Sequence, residues 1–208
     1  MAIWNSMRHL RKPKTARKYP VPLTMHQLWM VSLSAPVNRD RDASRTTLYP
    51  FTRIDDEKAR RWLADQWEIT SRDALAGRLD GLARTGYRVR ARQRLGFEPL
   101  AWDAGLYVDI SRRGFACGLL SEAEAWTALK NIVPAVVRTY GSWKEYAEHY
   151  MLGRMVWRDN LRRTRETGLP APQEAADAHL QSLLDPTNKS SPWNMAPWEA
   201  ISEPDQAR

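Results

Sequence analysis

Trp143, Tyr146, Tyr150, Arg154 and Trp157 stand three and four residues apart, the spacing of one face of an α-helix. A guanidinium on such an aromatic stripe has to be paired or stacked, because burying it alone is costly. An indole can stack on it, and a carboxylate can take it in a bidentate bond. Asp103, next to Trp102, is a carboxylate suited to that role, with Arg72, Arg113 or Arg154 as its cation. One reading is a buried Arg–Asp pair that fixes helix register inside a Trp-rich core. The other is a pocket lined by Trp102, Trp143, Tyr146, Tyr150 and Trp157, with Arg154 and Asp103 at its floor. Such a pocket could hold a base, an aromatic side chain or a phosphate group. Helical faces usually turn inward, which favours the first reading.

A second group is cationic. Arg84, Arg88, Arg90, Arg92 and Arg94 follow one another with no acid among them. With Tyr87 and Phe97 nearby, they could grip a nucleic-acid backbone and stack a base. The competing reading is a solvated face neutralised by Asp80 and Glu98.

Other chemistry is missing its signature. No phosphate loop, dinucleotide-binding glycine turn or G-x-S-x-G elbow occurs. His9, His26, His149 and His179 are scattered, so no metal site and no cofactor are expected. The single cysteine, Cys117, forms no internal disulfide and reads as a small buried residue. No apolar run is long enough to cross a membrane, and no apolar stretch follows the basic N-terminal residues as in a secretory signal, so a cytoplasmic location is expected.

The elements that must position these groups read as helices. Thr24 can cap a helix bearing Met25, Leu28, Trp29 and Leu33, ended by Pro36; residues 37–54 read as a long loop. Asp55 or Asp56 caps the next helix, and Thr70 with Asp73 suggests a capping box for a third that stops at Gly86. Residues 87–99 alternate like a strand at first, yet an extended connection or a helix fits as well. A helix over 101–113, stopped at Gly114, comes next. Two further capping boxes, Ser121 with Glu124 and Ser142 with Glu145, open the two clearest helices; Pro134 should kink or break the first, and Gly168 and Pro170 end the second. A last helix over 172–184 precedes a tail whose Pro192-Trp193 and Pro197-Trp198 pairs should latch indoles onto the helices. The expectation is an all-α, mainly α single compact domain of about seven helices with a Trp-rich core.

Charge divides the chain. Residues 1–18 hold six cations and no acid, which leaves +2 of the net +8 for the other 190 residues. Residues 1–22 therefore read as a basic arm, 23–185 as the helical domain and 186–208 as the Pro/Trp tail packing on it. The arm could tether the protein to nucleic acid or to an anionic membrane surface.

Several ordered motifs carry a resemblance. Leu28 to Pro36 (LWMVSLSAP), Trp67 to Leu75 (WEITSRDAL), Ala101 to Asp103 (AWD), Gly118 to Trp126 (GLLSEAEAW) and Ser142 to Trp157 (SWKEYAEHYMLGRMVW) resemble the DUF1266 family of bacterial proteins. The resemblance runs from about Leu23 to Trp198, and the arm lies outside it. It implies a helical, soluble bacterial domain with a loose association with interbacterial toxin and immunity systems, and it assigns no catalytic residue. Three functions follow as expectations: a non-enzymatic module that binds an unidentified protein partner, a toxin-type enzyme acting on nucleic acid or nucleotide, and tethering through the arm.

Overall fold

The central element is a helix with no outward face. In the computed structural model, which describes residues 22–39, 41–164 (side chains to 159) and 173–205, all 17 residues of α5, Leu100–Ala116, are buried. A helix enclosed on every side is a core helix, and α2, α3, α6 and α7 pack around it. The basic arm, the side chain of Leu161, and Gly168 and Pro170 lie outside the described residues.

The chain order follows the caps. α1 (Met25–Ser32) starts at the Thr24–Gln27 capping box. The segment to residue 54 is a loop with one isolated bridge, Ala43 to Phe51. α2 (Asp56–Trp67) is capped by Asp55. α3 (Arg72–Arg84) is capped by Ser71, one residue after the expected Thr70, because the Ser71 hydroxyl takes the Ala74 N–H. α4 (Arg88–Leu95) settles the ambiguous stretch as a helix. Arg88 and Ala91, three residues apart, turn inward while Val89 turns outward, a helical spacing that departs from the strand-like alternation.

α5 runs past Gly114, which lies inside the helix and not at its stop. A Cβ on Gly114 would sit 2.6 Å from Leu75 Cδ2, so glycine lets α3 come close. The stop is Gly118, in the left-handed conformation, with the Leu119 N–H bonded to the Gly114 carbonyl. α6 (Glu122–Thr139) opens with the Ser121–Glu124 box and continues through Pro134 without a break. Pro134 and Lys130 are exposed, so the carbonyl that loses its partner can turn to water. α7 (Trp143–Thr164), α8 (Gln173–Leu184), the four-residue α9 (Pro192–Met195) and a 3₁₀ turn at Trp198–Ser202 complete the described chain. The elements beyond the seven expected are α4 and the tail's short turns. No strand occurs among the described residues, and the protein is an all-α single compact domain.

The tryptophans make its aromatic centre. Trp143 stacks on Trp193 at 5.2 Å and 6°, and meets Trp29 at 5.2 Å and Trp198 at 4.8 Å. Each of three indole N–H groups has a carbonyl: Trp29 donates to Trp198, Trp143 to Ala196 and Trp193 to Ser32, at 2.9–3.0 Å. Satisfied indoles bury large apolar area without a polar penalty, which holds α9 and the 3₁₀ turn against α1 and α7.

Candidate functional site

The residues singled out in the sequence fall into separate places. Asp103, on α5, is fully buried and takes three N–H bonds: Tyr87 N at 2.8 Å, Arg88 N at 3.1 Å and Arg88 Nη1 at 3.1 Å. Arg88 also donates to the Leu82 and Ala83 carbonyls, at 2.7 Å each, in the last turns of α3. Asp103 thus fastens the α3–α4 corner to the core helix, and its cation is Arg88 rather than Arg72, Arg113 or Arg154. Gly86 makes this possible. It sits at φ +57°, and a Cβ there would fall 2.0 Å from Asp103 Oδ2. Burial raises the Asp103 pKa, against the lowering effect of its N–H partners.

Arg72 lies on the surface and pairs with Glu124 of the α6 capping box. Arg113 is buried, donates to Asp109 Oδ2 at 2.8 Å and stacks 4.0 Å from the Trp62 ring centre. Its neighbour Arg112 is completely buried and bonds the Ser34 hydroxyl and four carbonyls of the loop, those of Ser44, Thr47, Leu48 and Tyr49. Burial lowers the Arg112 pKa to about 10, so it is charged at neutral pH and clasps the loop over 44–49 as a cation.

The aromatic stripe of α7 divides. Trp143 and Tyr146 are in the tryptophan centre, where the Tyr146 hydroxyl lies 2.8 Å from the Leu33 carbonyl and 3.1 Å from that of Ala101. Tyr150 and Trp157 pack instead on Trp102, at 5.1 and 4.9 Å. Arg154 is 2% exposed and donates to Gln173 Oε1 at 2.9 Å, on α8. Burial lowers its pKa, and so do the charges of Arg39 and Arg158. The structure therefore brings Trp102, Tyr150, Arg154 and Trp157 to one end of the stripe, and sets Asp103 in a separate bonded corner.

The cationic run is also divided. Arg88 is buried in the Asp103 corner. Arg84 pairs with Asp80, Arg92 with Glu98 and Arg94 with Asp159. Arg90 makes no ion pair among the described residues. Nothing in the sequence singles out Arg112 or Asn38 for these roles, and Asp109 was not among the expected site residues. The signal for Asp109 was available: it stands four residues before Arg113, on a largely apolar helix. Asn38 sits in an aperiodic loop and carried none.

No described helix is long and apolar enough to cross a membrane. No group of three or more His, Cys, Asp or Glu side chains able to hold a metal occurs among the described residues. The architecture is that of a helical domain wrapped around a buried, charge-bearing helix and closed by a Pro/Trp tail.

The chain belongs to the DUF1266 family, proteins of unknown function, whose pattern it matches over residues 88–198. That span runs from α4 to the first residue of the 3₁₀ turn, so the Leu28–Pro36 and Trp67–Leu75 motifs lie outside it. No curated protein and no solved structure matches the chain.

Proposed function

We propose that this protein is a non-enzymatic binding module that takes an acidic protein partner on the outer face of α4. The observation that carries this reading is the composition of that face. Only Arg88 and Ala91 of α4 are buried, which leaves Arg90, Arg92 and Arg94 outside with Val89 (45% exposed) and, just beyond, Phe97 (39%). Exposed apolar groups set among arginines have the character of an interface. The Arg–carboxylate pairs on this face are exposed and individually weak, so a partner's acids can compete for them. Trp143, Tyr146 and Arg154 of the aromatic stripe, by contrast, are hydrogen-bonded within the fold. A role in a bacterial cytoplasmic system, in which toxin–immunity pairs supply the first partners to try, belongs to the same proposal and rests on the family resemblance.

The test is stoichiometric association of the full chain with one protein, measured in wild type and in a Val89→Asp, Arg90→Glu variant of unchanged circular dichroism. A loss of about tenfold or more in affinity is expected. Unaltered binding in the variant, or association that disappears on nuclease treatment, would remove this reading.

A further inference from the structure

α4 is fastened to the body of the protein mainly through polar groups at its first turn. Of its eight residues only Arg88 and Ala91 are fully buried, so the one apolar side chain it hides completely is a methyl group. Tyr87, the residue before the helix, supplies no side-chain cap. The Tyr87 and Arg88 N–H groups are taken instead by Asp103 of α5, at 2.8 and 3.1 Å, and the same carboxylate holds the Arg88 guanidinium at 3.1 Å. The cap of α4 and its anchor are thus one group on another helix. At the far end Arg94 pairs with Asp159 of α7 in a solvent-exposed position, where such a pair adds little.

A helix of eight residues does not persist alone, since about 12–15 are needed in water even for favourable sequences. Separated from Asp103, α4 loses cap and anchor together, so undocking and unravelling are one event. The chain on either side is suited to that event. Gly86 (φ +57°) and Gly96 (φ +79°) bracket the helix, and glycine moves between left-handed and other backbone conformations without a steric penalty. Little buried apolar surface and a polar anchor at one end mark a segment that opens at a lower free energy than the whole fold.

We propose that α4 is a latched strap. It is helical and docked while Asp103 holds Tyr87 and Arg88, and it opens as a unit between Gly86 and Gly96 while the remaining helices stay folded. On the reading of the α4 face given above, on which this consequence rests, the arginines, Val89 and Phe97 form one surface only while the strap is closed. The latch then sets how much of the protein is competent to bind, and a partner on that face keeps the strap shut.

The experiment is native-state hydrogen exchange of the full chain without a partner, at urea concentrations below the unfolding transition. Corrected for intrinsic rates, the amides of 88–95 should exchange at least about tenfold faster than those of α5 and respond little to urea, because a local opening exposes little surface. Trp193→Ala, at contacts with Trp143 and Ser32, should speed α5 exchange and leave α4 within about twofold. Asp103→Asn should speed α4 exchange by at least about tenfold. Exchange of α4 only together with α5, at the same urea dependence, would overturn the strap. So would a Trp193→Ala variant that speeds both helices equally, or an Asp103→Asn variant in which α4 exchanges as in wild type. No partner enters these measurements, so their failure is distinct from failure of the binding test with Val89→Asp, Arg90→Glu.

Discussion

Removing the Asp103 carboxylate should be among the most damaging single changes available to this protein. Asp103→Ala takes the counter-ion from Arg88, whose side chain is 10% exposed, and leaves the Tyr87 and Arg88 N–H groups without their acceptor. Breaking a buried ion pair from one side costs about 3–5 kcal/mol. Arg88 keeps the Leu82 and Ala83 carbonyls, which places the loss near the lower end, about 3 kcal/mol. For a chain of this size that corresponds to a fall in Tm of roughly 6–12 °C. Urea and thermal unfolding followed by tryptophan fluorescence measure it directly. A double-mutant cycle identifies the partner: Asp103→Ala with Arg88→Met should cost about 1–3 kcal/mol less than the two changes summed. Asp103→Ala with Arg154→Met should simply add. A loss under about 1 kcal/mol, or coupling to Arg154 in place of Arg88, would refute the assignment of this corner.

Other perturbations read other contacts. Gly86→Ala carries the left-handed backbone cost of about 1–2 kcal/mol and also drives a methyl onto Asp103. Gly96→Ala, at φ +79° with nothing within 4 Å, carries the backbone cost alone, so equal losses in urea unfolding would discard the contact. Trp193→Ala removes the stack on Trp143 and the bond to Ser32; a loss of about 3–5 kcal/mol is expected, and a change under about 1 kcal/mol would show that the tail is not part of the core. Arg72 and the Ser121 groups hold the Glu124 pKa at about 2, below its ordinary 4.5. A depressed carboxylate stabilises above 4.5 and loses that contribution as pH falls toward about 2. Glu124→Gln should flatten the acid limb of stability in that window, and an identical limb in both proteins would count against the pairing.

Most of the helical frame was legible because its signals are local. Caps at Thr24, Asp55 and Ser121, and apolar periodicity, need no knowledge of the rest of the chain. The failures share a cause. Gly114 looked like a stop, but tertiary packing against Leu75 uses a glycine for close approach within a helix. Pro134 looked like a break, but its exposed position makes the lost hydrogen bond inexpensive. Asp103 was expected to meet Arg72, Arg113 or Arg154, but the distance along the chain says nothing about which arginine arrives. Arg88 reaches it because Gly86 permits the turn, and that glycine was read only as the end of α3.

The placement of charge in α5 also bears on what its polar residues do. Asp103, Asp109, Arg112 and Arg113 lie on a helix buried along its whole length, and buried pairs of this kind seldom add net stability over apolar replacements. What they do is select. Arg112 meets five acceptors from the loop and α1's end, all with defined direction, so the loop has one way to lie over the core. Asp103 fixes the α3–α4 corner in the same manner. In these two places the acceptors and donors are matched atom for atom. The Asn38–Asp109–Arg113 group, which joins α5 to the segment after α1 and is equally buried, instead keeps on every member a polar atom with no hydrogen-bond partner among the described residues. A purely architectural role accounts for the matched groups and not for the open one.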